Sequence, residues 1–511
     1  PCNWNTHKPE LLYYEGPVIF TRKFNCNVEE EKRYFIKFGA ANHEARVWVN
    51  GQYLGRHAGG YTPFTFEVTR YIKEENRIIV FVDNTRKISN VPALSFDWYN
   101  WGGIYREIEL LTLPGTFIKN FFCYLVPDDN YNNIGLKLFL DTKETNFEGI
   151  AKFTVPELDI EKEINITGNF SKTMIKSNSI ELWDINNPKL YDVFINFNGE
   201  VIHDKIGFRQ IKVNGTKIYL NGKHMFFKGI CAHEEIHDKG RNLTEKEMYQ
   251  VFENAKELNC NYMRLAHYPH HEKMARIADK LGILLWEEVP VYWALDFKNS
   301  NTLASAKNQL EELIIRDGNR ASVVIWSIGN ENPDTDERLE FMKQLADLTK
   351  SADGTRLTAA ACLVNIDNCL IQDRLSKYID IVGINEYYGW YYRDFDTLVK
   401  IYKNSKNIGK PVFITETGAG ALACHHGSIG ELFTEEHQEH TYKKQFEITS
   451  NNEYIQGISP WILYDFRSLV RQNGFQKGYN RKGIMDADKK YRKKAFYVVK
   501  KFYDSLGVPK K

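Results

Sequence analysis

From residue 213 onward the chain alternates short apolar runs with stretches of helical periodicity, and this constrains its fold more than any other feature. The runs at 225–232, 262–267, 283–289, 322–328, 357–363, 380–385, 411–415 and 456–463 have strand length. A parallel strand covered on both faces reads as a near-continuous apolar run, and a helix between two such strands returns the chain to the same end of the sheet. Helical patterns fall between them at 244–258, 270–281, 302–316, 336–350 and 433–448. Thr244 followed by Glu247 predicts a capping box at the first of these. Eight strands over roughly 290 residues predict a (β/α)8 TIM barrel over 213–511. The helix between strands five and six is weakly marked.

The preceding part is β-rich. Alternating runs such as Tyr34–Phe38, Ala45–Val49, Thr65–Val68 and Arg77–Val82, with an Asn50-Gly51 turn signal, predict an N-terminal β-sandwich of jelly-roll type over 1–115. Sparser strands, clearest at Gly135–Leu140 and Tyr191–Phe197, predict an immunoglobulin-like β-sandwich over 116–212. The expected protein is therefore multidomain.

The net charge of +1, without a basic block or acidic tail, gives no support for nucleic acid as a partner. No apolar run approaches the roughly 20 residues of a membrane helix, so no membrane partner is expected. Eight scattered cysteines without Cys-x-x-Cys spacing predict free thiols rather than a disulfide framework or zinc site. That favours a reducing compartment, the cytoplasm. The opening Pro1-Cys2-Asn3-Trp4 is no signal peptide and lacks an initiator Met, so a periplasmic or secreted protein with a removed leader stays open. No metal or other cofactor is expected. Aromatic residues make up 14%, which suits either large β-cores or rings that stack on sugars.

Polar residues recur where the barrel strands end, at the face that carries barrel chemistry. His233 and Glu234 follow strand one. Arg264 and His267 lie on strand two, Glu287 and Glu288 on strand three. Asn330 and Glu331 follow strand four; Asn385, Glu386 and Tyr387 follow strand six; Glu416 follows strand seven; and Trp461, Asp465 and Arg467 belong to strand eight. Charges at buried positions are costly unless they pair or react. For Glu287, Glu288 and Asp465, ion pairs tying the barrel top are an equally good reading. Two carboxyls flanking one bond are what glycoside hydrolysis needs, one attacking and one giving and taking a proton.

The segments Trp326-Ser327-Ile328-Gly329-Asn330-Glu331 and Ile414-Thr415-Glu416-Thr417-Gly418 resemble glycoside hydrolase family 2. The likeness spans nearly the whole chain. Val47-Trp48-Val49-Asn50-Gly51 and Gly59-Gly60-Tyr61-Thr62-Pro63-Phe64 are similar to the family's first sandwich. Gly207-Phe208-Arg209 and Leu220-Asn221-Gly222-Lys223 are similar to its junction into the barrel. The resemblance implies Glu331 as acid/base and Glu416 as nucleophile of a retaining double displacement. Asn385 through Tyr391, Asp97-Trp98-Tyr99-Asn100 and Asn480-Arg481-Lys482-Gly483 resemble the bacterial members that cleave terminal β-D-glucuronides. By that likeness Asn480 and Lys482 hold the sugar carboxylate. In an extended segment, residues two apart face the same way, which fits. The resemblance further assigns Asn330 to the sugar 2-hydroxyl and Tyr387 to the nucleophile. It places His233, Asp97, Asn385, Tyr391 and Trp461 in the sugar pocket, with glucuronide small molecules or glycans as substrates and a homo-oligomer as the assembly.

Two departures stand out. The usual Asn-Glu-Pro is here Asn330-Glu331-Asn332-Pro333, and Thr417 follows Glu416 where well-known members have Tyr. The short stretch from Val291 to Asn301 leaves little room for a long active-site loop and predicts an open site suited to larger glycans. A β-galacturonidase is the first alternative, since a carboxylate clamp is blind to configuration at C4. A β-galactosidase would leave Lys482 without its partner. A non-catalytic carbohydrate-binding protein would have no use for both glutamates.

Overall fold

The computed structural model describes residues 2–128, 130–392 and 394–506. The chain divides into two compact units. One gathers the chain up to Thr85 with Gly102–Gln210 and Glu312–Ala321; the other gathers Arg86–Trp101, Ile211–Glu311 and the chain from Ser322.

The first unit holds two β-sandwiches. In the first, an antiparallel sheet of Pro17–Asn25, Glu75–Asp83, Glu44–Val49 and Gln52–Ala58 packs on one of Phe64–Glu67, Arg33–Phe38 and Ile108–Leu113. Alternate residues Ile78, Val80 and Val82 join Val47, Ile36 and Phe38 in one core, the period-2 pattern of a half-buried strand. Asn50 and Gly51 make the two-residue turn between paired Val49 and Gln52, with φ of 52° and 82°. That mirror-image turn matches strand twist, and glycine reaches it without strain. In the second sandwich seven strands form one ladder. Its link between Ile160–Thr167 and Phe170–Lys176 is the single pair Thr167–Phe170. There the ladder folds over, and Leu136, Leu138, Ala151, Phe153, Val193 and Ile195 share one core.

The second unit contains the barrel. Its first strand is broken at Gly229-Ile230: Phe227–Lys228 pairs with the eighth strand, Ile455–Pro460, and Cys231–Ala232 with the second, Tyr262–Leu265. Both ends of the ladder thus belong to one strand, and the sheet closes. The third to seventh strands are Leu284–Glu288, Val323–Asn330, Leu357–Cys362, Ile381–Asn385 and Val412–Thr417. All residues of strands two to eight are buried, which is why they read as continuous apolar runs. Each buried Val, Leu or Ile contributes roughly 1.5–3 kcal/mol. Phe413 fills the interior beside Phe227 and Trp286, with ring centroids at 5.0 and 6.0 Å.

Glu245–Glu257 starts with both halves of the Thr244–Glu247 capping box. Glu272–Leu281, Ser300–Asp317, Asp336–Ala352 and Glu435–Thr449 follow the predicted helices closely. Phe395–Asn404 and the terminal Lys494–Ser505 were not singled out in the sequence. Between strands five and six the described residues form only a short 3-10 turn, Arg374–Lys377. Asn365 Oδ1 accepts from the Asn368 amide, a local bond that competes with helix formation, and Asp373 caps the short turn by accepting from the Leu375 amide. No helix among the described residues is long and apolar enough to cross a membrane.

Candidate active site

Parallel strands bring their C-terminal ends to one mouth. A cavity of about 300 Å³ opens there, lined by Glu331, Glu416, Asn385, Tyr387, Tyr391, Trp461, Asp97 and Lys482. Eight of the eleven site residues expected from sequence therefore share it. Asn330, His233 and Asn480 are buried behind the lining.

Glu416 ends the seventh strand. Its Oε1 accepts from Arg264 Nη1 at 2.7 Å, and its Oε2 accepts from the Tyr387 hydroxyl at 2.5 Å. Arg264, fully buried, also donates to Glu288 at 3.0 and 3.1 Å and to Asn330 Oδ1 at 2.7 Å. His267 Nδ1 lies 2.8 Å from Glu288 Oε1. Burial pushes the Glu288 pKa up, but Arg264 and His267 outweigh it and hold it at about 2. Arg264 is therefore the tie that binds the second, third, fourth and seventh strands at the mouth. The ion-pair reading of Glu288 describes its contacts, as it does those of Asp465, which accepts from Lys493 Nζ at 2.8 Å.

Glu331, just past the fourth strand, has φ +51°. Its Oε1 accepts from Asn385 Nδ2 at 2.9 Å and its Oε2 from Trp293 Nε1 at 2.7 Å. Burial, and then the charge of Glu416, push its pKa up; Asn385 and Trp293 draw it partly back. The two carboxyls thus differ in environment: one is gripped by a guanidinium and a phenol, the other is desolvated beside it. Arg264 can only donate, so Asn330 must turn Oδ1 toward it. Asn330 Nδ2 is then left buried without a partner among the described residues.

Lys482 occupies another side of the cavity and is 3% exposed. Its ammonium donates to the Tyr391 hydroxyl at 2.7 Å and lies 5.0 Å from the Tyr387 ring centroid. Among the described residues it has no carboxylate partner. Burial alone would push the Tyr391 phenol up, yet Lys482 and Arg471 outweigh it and lower its pKa. Asp97 accepts from Arg471 Nε at 2.9 Å, from Ser468 Oγ at 2.5 Å and from Asn480 Nδ2 at 3.1 Å.

Asn480 ends the short strand Tyr479–Asn480, and its Oδ1 accepts the Lys482 amide at 3.1 Å. Its amide thus braces both Asp97 and the Lys482 backbone. His233 packs at 4.3 Å on Phe466 and bonds Tyr268, and burial lowers its pKa well below the usual imidazole value. The sequence reading missed Trp293 and Arg471 in the lining. Both sit in loops, where no periodicity tells which way a side chain points. The mouth also carries exposed Leu363 and Ile366 from the loop after strand five, an apolar wall that the open-site expectation did not include.

Glu386 lines the cavity but is spent on the scaffold, accepting from Gln445 Nε2 at 3.0 Å and from the Tyr388 amide at 3.2 Å. Burial raises its pKa from 4.5 to about 8. Between those values the folded protein holds a proton that the unfolded chain has released, so stability falls as pH rises from 4.5 to about 8 and is level above. Glu386→Gln should flatten that slope and gain a few kcal/mol over the wild type at pH 9, read by urea unfolding between pH 5 and 9.

Two family models match the chain: "Glycosyl hydrolases family 2, sugar binding domain" over residues 3–114, and "Glycosyl hydrolases family 2, TIM barrel domain" over 211–507. A beta-glucuronidase of Paenibacillus borealis is 28% identical, over 91% of this chain and 84% of its own. Among solved structures, a GH2 beta-galacturonidase from Eisenbergiella tayi superposes with a TM-score of 0.91 at 26% identity, covering 99% of this chain and 92% of that one. A beta-D-glucuronidase from Dictyoglomus thermophilum gives 0.87 at 26% identity, covering 99% and 93%.

Proposed function

Since this chain belongs to glycosyl hydrolase family 2, we propose that it releases terminal β-D-glucuronic acid with retention of configuration. The observation that carries this is Lys482: a buried ammonium without a carboxylate partner among the described residues, facing the cavity that holds both glutamates. A sugar carboxylate would complete that charge, and a neutral sugar would leave it unpaired. Glu416 attacks the anomeric carbon while Glu331 gives its proton to the leaving oxygen, and the bond to the aglycone breaks. Water then attacks the same carbon, Glu331 takes its proton, and Glu416 leaves. The raised pKa of Glu331 suits the acid of the first half. Asn330 Nδ2 is suited to the sugar 2-hydroxyl. The catalytic domain reading, 213–511, goes with sandwiches at 1–115 and 116–212, and we expect a homo-oligomer.

A β-galacturonidase is the second reading, favoured by the similarity to the Eisenbergiella tayi enzyme and by a clamp that contacts a group both sugars share. Turnover of p-nitrophenyl β-D-glucuronide, β-D-galacturonide and β-D-galactoside, with NMR of the first-released anomer, tests all of this. The glucuronide should dominate with a β-anomer product. A galacturonide preference transfers the assignment to the second reading, a galactoside preference removes the clamp, and an α-anomer removes retention. No turnover with retained glycan binding would leave a carbohydrate-binding protein.

A further inference from the structure

We propose that Trp293 is the positioning residue of Glu331 and that Asn332 holds Trp293 in place, an inference that rests on the acid/base reading above. The indole N–H meets Glu331 Oε2 at 2.7 Å. The turn that carries the indole is stitched to the segment around Glu331. Trp293 N donates to Asn330 O at 2.9 Å, and Asn330 N donates to Val291 O at 2.9 Å. Asn332, 1% exposed, donates its Nδ2 to Trp293 O at 2.8 Å and to Val291 O at 3.2 Å. In the usual Asn-Glu-Pro order position 332 would be proline, which has no side-chain donor. Here the asparagine supplies two bonds that a proline could not. Trp293 at φ +53° and Glu331 at φ +51° both sit in the left-handed region, which non-glycine residues keep only where their surroundings over-determine it.

An indole N–H donates and never accepts, so it favours the charged form of the carboxyl that it touches. Glu331 needs both forms, giving a proton in the first half-reaction and taking one in the second. Its burial and Glu416 favour the protonated form, and Asn385 and then Trp293 are the counterweights that keep it able to act as a base. The other ionisable groups facing Glu331 are Glu416 from the seventh strand, His267 just past the second, Tyr292 from the loop after the third, and Tyr387 after the sixth. Asp97, Arg471 and Lys482 line the same cavity.

Trp293→Phe keeps an aromatic ring and removes the donor. The alkaline limb of kcat/KM should move up by about one pH unit. Meanwhile kcat on an aryl uronide with a good leaving group, where hydrolysis of the intermediate limits, should fall roughly tenfold with KM little raised. Asn332→Ala, which keeps the indole but frees its turn, should shift the limb the same way and carries the test if Trp293→Phe does not fold. An unmoved limb in the variant that folds, with loss confined to KM or thermal stability, would overturn the proposal. Glu331→Gln separates the two readings. If the alkaline limb persists in Glu331→Gln, the acid/base reading fails and this proposal with it. If the limb vanishes there yet ignores Trp293→Phe and Asn332→Ala, only the Trp293 proposal falls.

Discussion

Replacing Glu416 by alanine should lower kcat on an aryl β-glucuronide by roughly 10⁴-fold or more, with the protein still folded. The loss should be that large because, among the described residues, no other carboxylate stands at the end of the seventh strand to take over the attack. The substitution leaves Arg264 Nη1 and the Tyr387 hydroxyl without the carboxylate that now accepts from both, so some stability should go as well. Glu416→Gln keeps the shape and is the control for that loss. Azide offers a sharper reading. In the cavity left by Glu416→Ala it can attack the anomeric carbon itself, and the product should then be the α-glycosyl azide. Recovery of rate with an α-azide product supports a nucleophile in that place. Free sugar released at near wild-type rate by Glu416→Ala would show that another group attacks.

Lys482→Ala should cost roughly 10²–10³-fold in kcat/KM for the β-glucuronide and little for the matching neutral β-glucoside. Truncating one partner of a desolvated charged pair typically costs 2–5 kcal/mol, of which about 1.4 kcal/mol accounts for each factor of ten. The ammonium touches Tyr391 and the face of Tyr387, and neither is a charge partner, so its removal should leave the fold intact. The informative quantity is the ratio of the two substrates in wild type and variant. A ratio that collapses locates uronate recognition at Lys482. An unchanged ratio would move it elsewhere, with Arg471 the next cation in the lining.

Much of the fold and of the candidate site is legible in the residues themselves, for reasons that differ from one to the next. Glu331 and Glu416 lie at the ends of uninterrupted apolar runs, and in a parallel barrel every such end arrives at the same mouth. Thr244 and Glu247 form their cap because both partners lie within one turn. The Asn50-Gly51 turn depends only on two residues that tolerate positive φ. The weakly marked stretch between strands five and six holds only a short 3-10 turn among the described residues, with Asn365 satisfying its backbone locally and Asp373 capping the turn.

The barrel, the sandwiches and the strand-end carboxyls are encoded in short segments, because buried period and strand polarity are local properties. What those groups do to one another is set by the folded chain. Asn480 turns back onto the Lys482 amide and braces Asp97, 383 positions away in the chain. Arg264 joins Glu288, Asn330 and Glu416 from three other strands. Trp293 reaches Glu331 across a turn held by Asn332. Hydrogen bonds and ion pairs act over about 3 Å, and which groups come that close depends on how distant segments close around one cavity. No local periodicity encodes that distance.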